Sequence, residues 1–91
     1  MSKPISDTFL ISIIGRDKVG VVSAVTSYLF ETGANLADSA FAVLGEGFEF
    51  SCVAEYEAGA SSEEVENGLA ALESVTGARI TVSRFPFALL R

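Results

Sequence analysis

The 91-residue chain predicts an α+β sandwich of order β-α-β-β-α-β, with a four-stranded antiparallel sheet and both helices on one face. Three observations lead there. Hydrophobic alternation switches twice between the period of a strand and that of a helix. A glycine stands where each helix has to stop. Two right-handed crossovers with a hairpin between them have a single compact solution, the split βαβ arrangement. In it the second and fourth strands are the edges, and the sheet face away from the helices is open.

The first strand is TFLISII (8–14), with Phe9, Ile11 and Ile13 on one face. Leu10 and Ile14 make the other face apolar as well, as a central strand requires. From Val19 the period lengthens: Val22, Val25 and Leu29, flanked by Val21 and Tyr28, form one helical face that Gly33 closes. The second strand, ANLADSAFAV (34–43), carries a fault of phase, because Leu36 is even while Phe41 and Val43 are odd. A bulge near Asp38–Ala40 reconciles them, and bulges favour sheet edges.

LGEGF (44–48) is a tight hairpin turn, and FEFSCVAEYE (48–57) follows as a half-exposed strand. Phe48, Phe50, Cys52, Ala54 and Tyr56 share one face; Glu49, Ser51, Glu55 and Glu57 share the other, with Val53 out of pattern. Ser61 and Glu64 form a capping box for the second helix, whose stripe is Val65, Leu69 and Leu72 and whose stop is Gly77. ARITVSRF (78–85) is the last strand, ended by Pro86. The domain therefore runs over residues 7–85, between an N-terminal extension (1–6) and a C-terminal tail (86–91). Apolar Phe85–Leu90 of the tail are expected to cover a subunit contact.

Composition narrows function. A chain this short buries about 60–65 % of its unfolded surface, yet 49 % of its residues are apolar and its mean hydropathy is +0.44. That surplus calls for a covering subunit. With 12 acidic against 6 basic residues, a net charge of −6 argues against direct nucleic-acid binding. No apolar run reaches the roughly 20 residues of a membrane helix, the start lacks a secretory core, and one cysteine makes no internal disulfide. A cytoplasmic protein is expected. The chain has no histidine, so the commonest general base and metal ligand is missing; neither catalysis nor a cofactor is expected.

One stretch, GRDKVGVV (15–22), raises a nucleotide site and then excludes it. Gly15 and Gly20 have the spacing of a phosphate loop, but Val21 and Val22 stand where the lysine and hydroxyl belong. What remains is a glycine-bearing turn into a helix N-terminus, whose leading N–H groups suit a carboxylate.

These residues carry a resemblance. Asp17-Lys18-Val19-Gly20 and Gly33-Ala34-Asn35-Leu36, spaced across one helix, resemble the signature of ACT domains, small regulatory modules that bind amino acids. The resemblance spans about residues 7–85 and implies the ferredoxin-like βαββαβ fold. Within that family NLADSAFAVLGEGFEFSCV looks most like the N-terminal half of the glycine cleavage system transcriptional repressors, which usually carry two such domains in tandem. It also implies edge-to-edge pairing through the second strand, with a homodimer supplying the second domain. A small amino acid would then sit between the strand–helix turn of one copy (Asp17, Lys18, Val19, Gly20) and the second strand of its neighbour (Asn35, Leu36). Val19 replaces the proline often found in that turn. The function implied is an amino-acid sensor acting through a partner protein; the alternative is an assembly module without a ligand.

Overall fold

The computed structural model describes residues 7–16, 18–57 and 62–87. Its elements are β1 (Thr8–Gly15), α1 (Lys18–Glu31), β2 (Asn35–Leu44), β3 (Gly47–Glu55), α2 (Ser62–Thr76) and β4 (Arg79–Arg84). All pairings are antiparallel and the strand order is β2-β3-β1-β4, so the sequence-predicted topology and edges hold.

The core lies between the helices and one face of the sheet. Phe9, Ile11 and Ile13 of β1 meet Phe48, Cys52 and Ala54 of β3 and the helix residues Val21, Val25, Leu29, Val65 and Leu69. Each such side chain contributes about 1.5–3 kcal/mol on full burial. The deepest line of α1 is Val21–Val25–Leu29, spaced four apart, and Val22 lies at its margin. Leu72 is likewise marginal on α2.

α1 ends in a double hydrogen bond. Gly33, at φ +94°, donates to Phe30 O at 3.0 Å, and Ala34 donates to Leu29 O at 2.9 Å. This is the Schellman arrangement, and only a residue at ease with positive φ fits it. The Thr32 hydroxyl donates to Leu29 O at 2.8 Å and lies 2.6 Å from Tyr56 Oη, tying the helix end to the residue after β3.

The phase fault of β2 is a bulge: Leu36 pairs with Ala54, yet Ser39 pairs with Cys52. Three steps on β2 thus match two on β3. Leu36 and Phe41 consequently fall on the same, helix-bearing face despite their even and odd numbers. The β2–β3 hairpin turns through Gly45 at φ +58° and Glu46. With positive φ confined to the first central residue, the turn follows the type II′ pattern that matches strand twist.

β3 differs from its expected half-exposed state. It is an interior strand with no exposed residue, and Val53 is buried on the face away from the helices, sharing a shallow depression with Leu10 and Phe85. The Ser61 capping partner and residues 88–90 of the tail lie outside the described residues. Phe87 is exposed and meets the Phe85 ring edge-on at 5.5 Å.

Candidate functional site

α1 covers only part of the sheet. Between its outer flank and β2 lies an open groove of about 560 Å³, lined by Val19, Val22, Ser23, Thr26, Phe41 and Phe50. Local sequence explains its shape. The buried line at 21, 25 and 29 turns Val19, Ser23 and Thr26 sideways toward β2, because each helical step rotates 100°. Beyond the bulge, β2 sets Phe41 and Val43 on the same side of the sheet, where Phe41 stacks on Phe48 at 5.8 Å.

The groove and its rim are markedly apolar. Val19 is 73 % exposed, Val43 68 % and Phe41 46 %. The Thr26 hydroxyl is directed at backbone, donating to Val22 O at 2.9 Å and Ser23 O at 3.3 Å.

The sequence-predicted ligand residues divide between the two ends of the molecule. Asp17 lies outside the described residues, as does the Lys18 side chain; Lys18 itself begins α1. Val19 and Gly20 are exposed in the first helical turn. Asn35 and Leu36 begin β2 beyond the far end of α1, whose 14 residues span about 21 Å at 1.5 Å per residue. Leu36 packs against the core on the helix side. Asn35 pairs with Glu55 on the opposite face, where its Nδ2 donates to Glu55 Oε1 at 3.3 Å. One chain therefore does not bring these six residues together. Sequence reasoning missed Phe41, Phe50, Ser23 and Thr26 as groove residues; the bulge-corrected phase of β2 was the signal that could have found Phe41.

Among the described residues, the titratable groups with shifted pKa values include no activated nucleophile. Burial pushes the Cys52 thiol up to about 11 and also raises the Tyr56 phenol; burial, then the charge of Glu64, raises Tyr28. A thiol held protonated is a poor attacking group. Among the described residues, no three of His, Cys, Asp and Glu are grouped to hold a metal ion, and no helix is long and apolar enough to cross a membrane.

Comparison with known proteins settles the family. The ACT domain family model matches residues 7–83. The chain belongs to the ACT domain family. ACT domains are regulatory modules, and the solved structures this chain resembles share its fold. An ACT domain protein from Streptococcus pneumoniae is 24 % identical with a TM-score of 0.78, covering 87 % of this chain and 90 % of that one. A glycine cleavage system transcriptional repressor reaches a TM-score of 0.82 at 19 % identity, over 97 % of this chain and 51 % of that one. The ligand-free regulatory subunit of aspartate kinase from Thermus thermophilus gives 0.64 at 19 % identity, over 85 % of this chain and 50 % of that subunit. This ACT domain thus spans about half the length of the latter two chains. A search of the curated proteins finds no match.

Proposed function

We propose that this ACT domain is an amino-acid-responsive regulatory module that pairs edge to edge through β2 and works in the cytoplasm through a partner protein. The observation that carries this reading is the groove beside an exposed, apolar β2: it is open on its outer side, where a second copy would close it. Antiparallel pairing of two β2 edges sets the Asn35 end of one copy beside the Leu44 end and the β1–α1 turn of the other. Asp17, Lys18, Val19 and Gly20 of one copy would then frame a site with Asn35 and Leu36 of the other. The leading amides of α1 suit the ligand's carboxylate. The Asn35 amide, which gives its N–H to Glu55, keeps an oxygen for the ammonium. Kinship in fold with the glycine cleavage repressor makes glycine and its metabolic neighbours the first ligands to try.

A second reading has its own support. The groove walls are mainly apolar and its threonine is occupied by backbone, which suits packing against protein as well as binding a zwitterion. A thermal-shift screen of the twenty amino acids, with mass measured in solution, decides between them. A ligand at 100 times its dissociation constant adds about 2.7 kcal/mol to the state it recognises, a shift of several degrees. Loss of that shift in Asn35→Ala supports sensing; a flat response from an intact dimer supports assembly alone.

A further inference from the structure

The sheet face turned away from the helices carries a depression of its own. Phe85 prolongs the β4–β1 pairing by one residue, its N–H donating to Thr8 O at 3.0 Å. Its ring joins Leu10 of β1 and Val53 of β3 in walling a hollow that reaches Asp38 and Ala40 at the β2 bulge. The exposed Phe87 ring meets Phe85 edge-on and extends that wall. Across the hollow stands the Asp38 carboxylate, and among the described residues no hydrogen bond or ion pair engages it. Register sets two further acids on this face, Glu49 opposite Ile14 and Glu55 opposite Thr8. The bases of β4 are placed elsewhere. Arg84 lies over the Phe9 ring and reaches Asp7. Arg79 stands opposite Ile14, four residues along β1 from Leu10, about 13 Å away.

Size and chemistry together select the occupant. The hollow holds about 220 Å³, room for about seven water molecules and less than the roughly 300–1,000 Å³ of a small-molecule pocket. One large side chain fits it better than a free metabolite does. Aromatic and aliphatic walls at one end and a carboxylate at the other suit a side chain with an apolar stem and a cationic tip. Arginine and lysine have that form, and arginine also stacks on exposed rings and anchors interfaces. We propose that the open sheet face is the docking surface for a partner protein, which seats an arginine or lysine in the Leu10–Val53–Phe85 hollow with its charge at Asp38. Apolar residues flank that anchor on the partner, because the face continues through Ala40, Ala42 and the 46 % exposed Ile14. The chain's net charge of −6 draws a basic partner in and repels an acidic one. This rests on the partner-protein half of the proposed function and is independent of the amino-acid ligand, since the groove beside α1 lies on the other side of the sheet.

The probe is a blocked peptide of alternating leucine and arginine, with a leucine–glutamate peptide as control, titrated at millimolar concentration into the isotope-labelled full chain. The expected result is a set of amide shifts centred on Leu10, Ala40, Ser51, Val53 and Phe85 with the arginine peptide and none with the glutamate peptide. Asp38→Asn should weaken binding at least about threefold, the scale of an exposed ion pair. Ser51→Arg sets a charge of the probe's own sign in the hollow and should weaken it at least about fivefold, the scale of two charges 4 Å apart in water. Glu66→Gln, the same loss of charge at an exposed position of α2, should change nothing. Circular dichroism checks the fold of each variant. Absent shifts, shifts spread over the acids of α2, equal binding of the two peptides, or Asp38→Asn titrating like the parent overturns the proposal. So does a parent chain whose same amides shift on concentration alone, because the face then belongs to a second copy. The amino-acid screen fails separately: a flat screen with these shifts intact removes sensing and leaves the docking surface, and the opposite pair of results does the reverse.

Discussion

Gly68, near the middle of α2, faces Tyr28 on α1, and the phenol donates to the Glu64 carbonyl of α2 at 3.0 Å. A methyl group at Gly68 would lie 2.6 Å from Tyr28 Cε1 and closer still to Cζ and Oη. The ring would have to swing away. That forfeits a hydrogen bond worth about 1 kcal/mol and part of the ring's apolar contact, about 1 kcal/mol more. Against the loss stands the helix propensity of alanine, about 1 kcal/mol better than glycine in a helix interior. Gly68→Ala should therefore destabilise the parent by about 1 kcal/mol. In a Tyr28→Ala background the obstacle is gone, and the same substitution should stabilise by about 1 kcal/mol. The sign reverses, with a coupling near 2 kcal/mol. Urea unfolding of the four proteins measures it, and in melting temperature each step is about 4–8 °C for a domain of this size. Equal stabilisation in both backgrounds would refute the claim that the α1–α2 crossing depends on a bare α-carbon at Gly68.

Gly33→Ala places a β-carbon in open space but at φ +94°, so its cost is one of backbone alone, about 1–2 kcal/mol; Asn at the same position should recover part of it. Cys52 should resist thiol reagents at pH 8 in the native state and react at the rate of transient opening. Its raised folded pKa, with those of Tyr28 and Tyr56, fixes the sign of the alkaline response. The native state keeps these protons longer than the unfolded state does, so stability is full below the unfolded values and falls as pH climbs from about 9 toward 11. With no histidine in the chain, titration by equilibrium unfolding should show no step between pH 6 and 8.

Most of the architecture could be read from the sequence because periodicity is a local property. β1 announced itself as central by being apolar on both faces, and the bulge in β2 followed from a parity conflict between Leu36 and Phe41. What escaped depended on partners distant in the chain. Val53 looked like an error of alternation on β3, but it is buried on the side where Phe85 lies. Gly68 gave no signal of its own, since its neighbour Tyr28 comes from 40 positions earlier. The strand–helix turn was legible as a motif, whereas the groove was not, since Phe41 and Phe50 meet Val19 only after the sheet has formed. Gly20 and Asn35 belong to one family signature whose halves flank opposite ends of α1, as their spacing across one helix implied.

The two edges of the sheet are built differently, and the difference makes a last prediction. β4 is six residues long, begins and ends with Arg79 and Arg84, and is followed by Pro86. Short length, charge and a nearby proline are the usual protections of an edge that must stay single. β2 is ten residues long, has no lysine, arginine or proline, and exposes Phe41, Val43 and Leu44; its one charge, Asp38, sits at the bulge. An edge left so open in a chain this apolar is suited to a second copy of itself. Val43→Lys should leave the monomer within about 0.5 kcal/mol of the parent, because the side chain is already exposed. It should nevertheless weaken the dimer at least about 100-fold, removing two buried valines and forcing two lysines into an apolar seam. Thr81→Lys, also a change at an exposed position but on β4, should alter neither quantity. Sedimentation of both variants is the measurement. Dissociation by Thr81→Lys with Val43→Lys still paired would move the interface to the opposite edge and dismantle the site proposed beside β2.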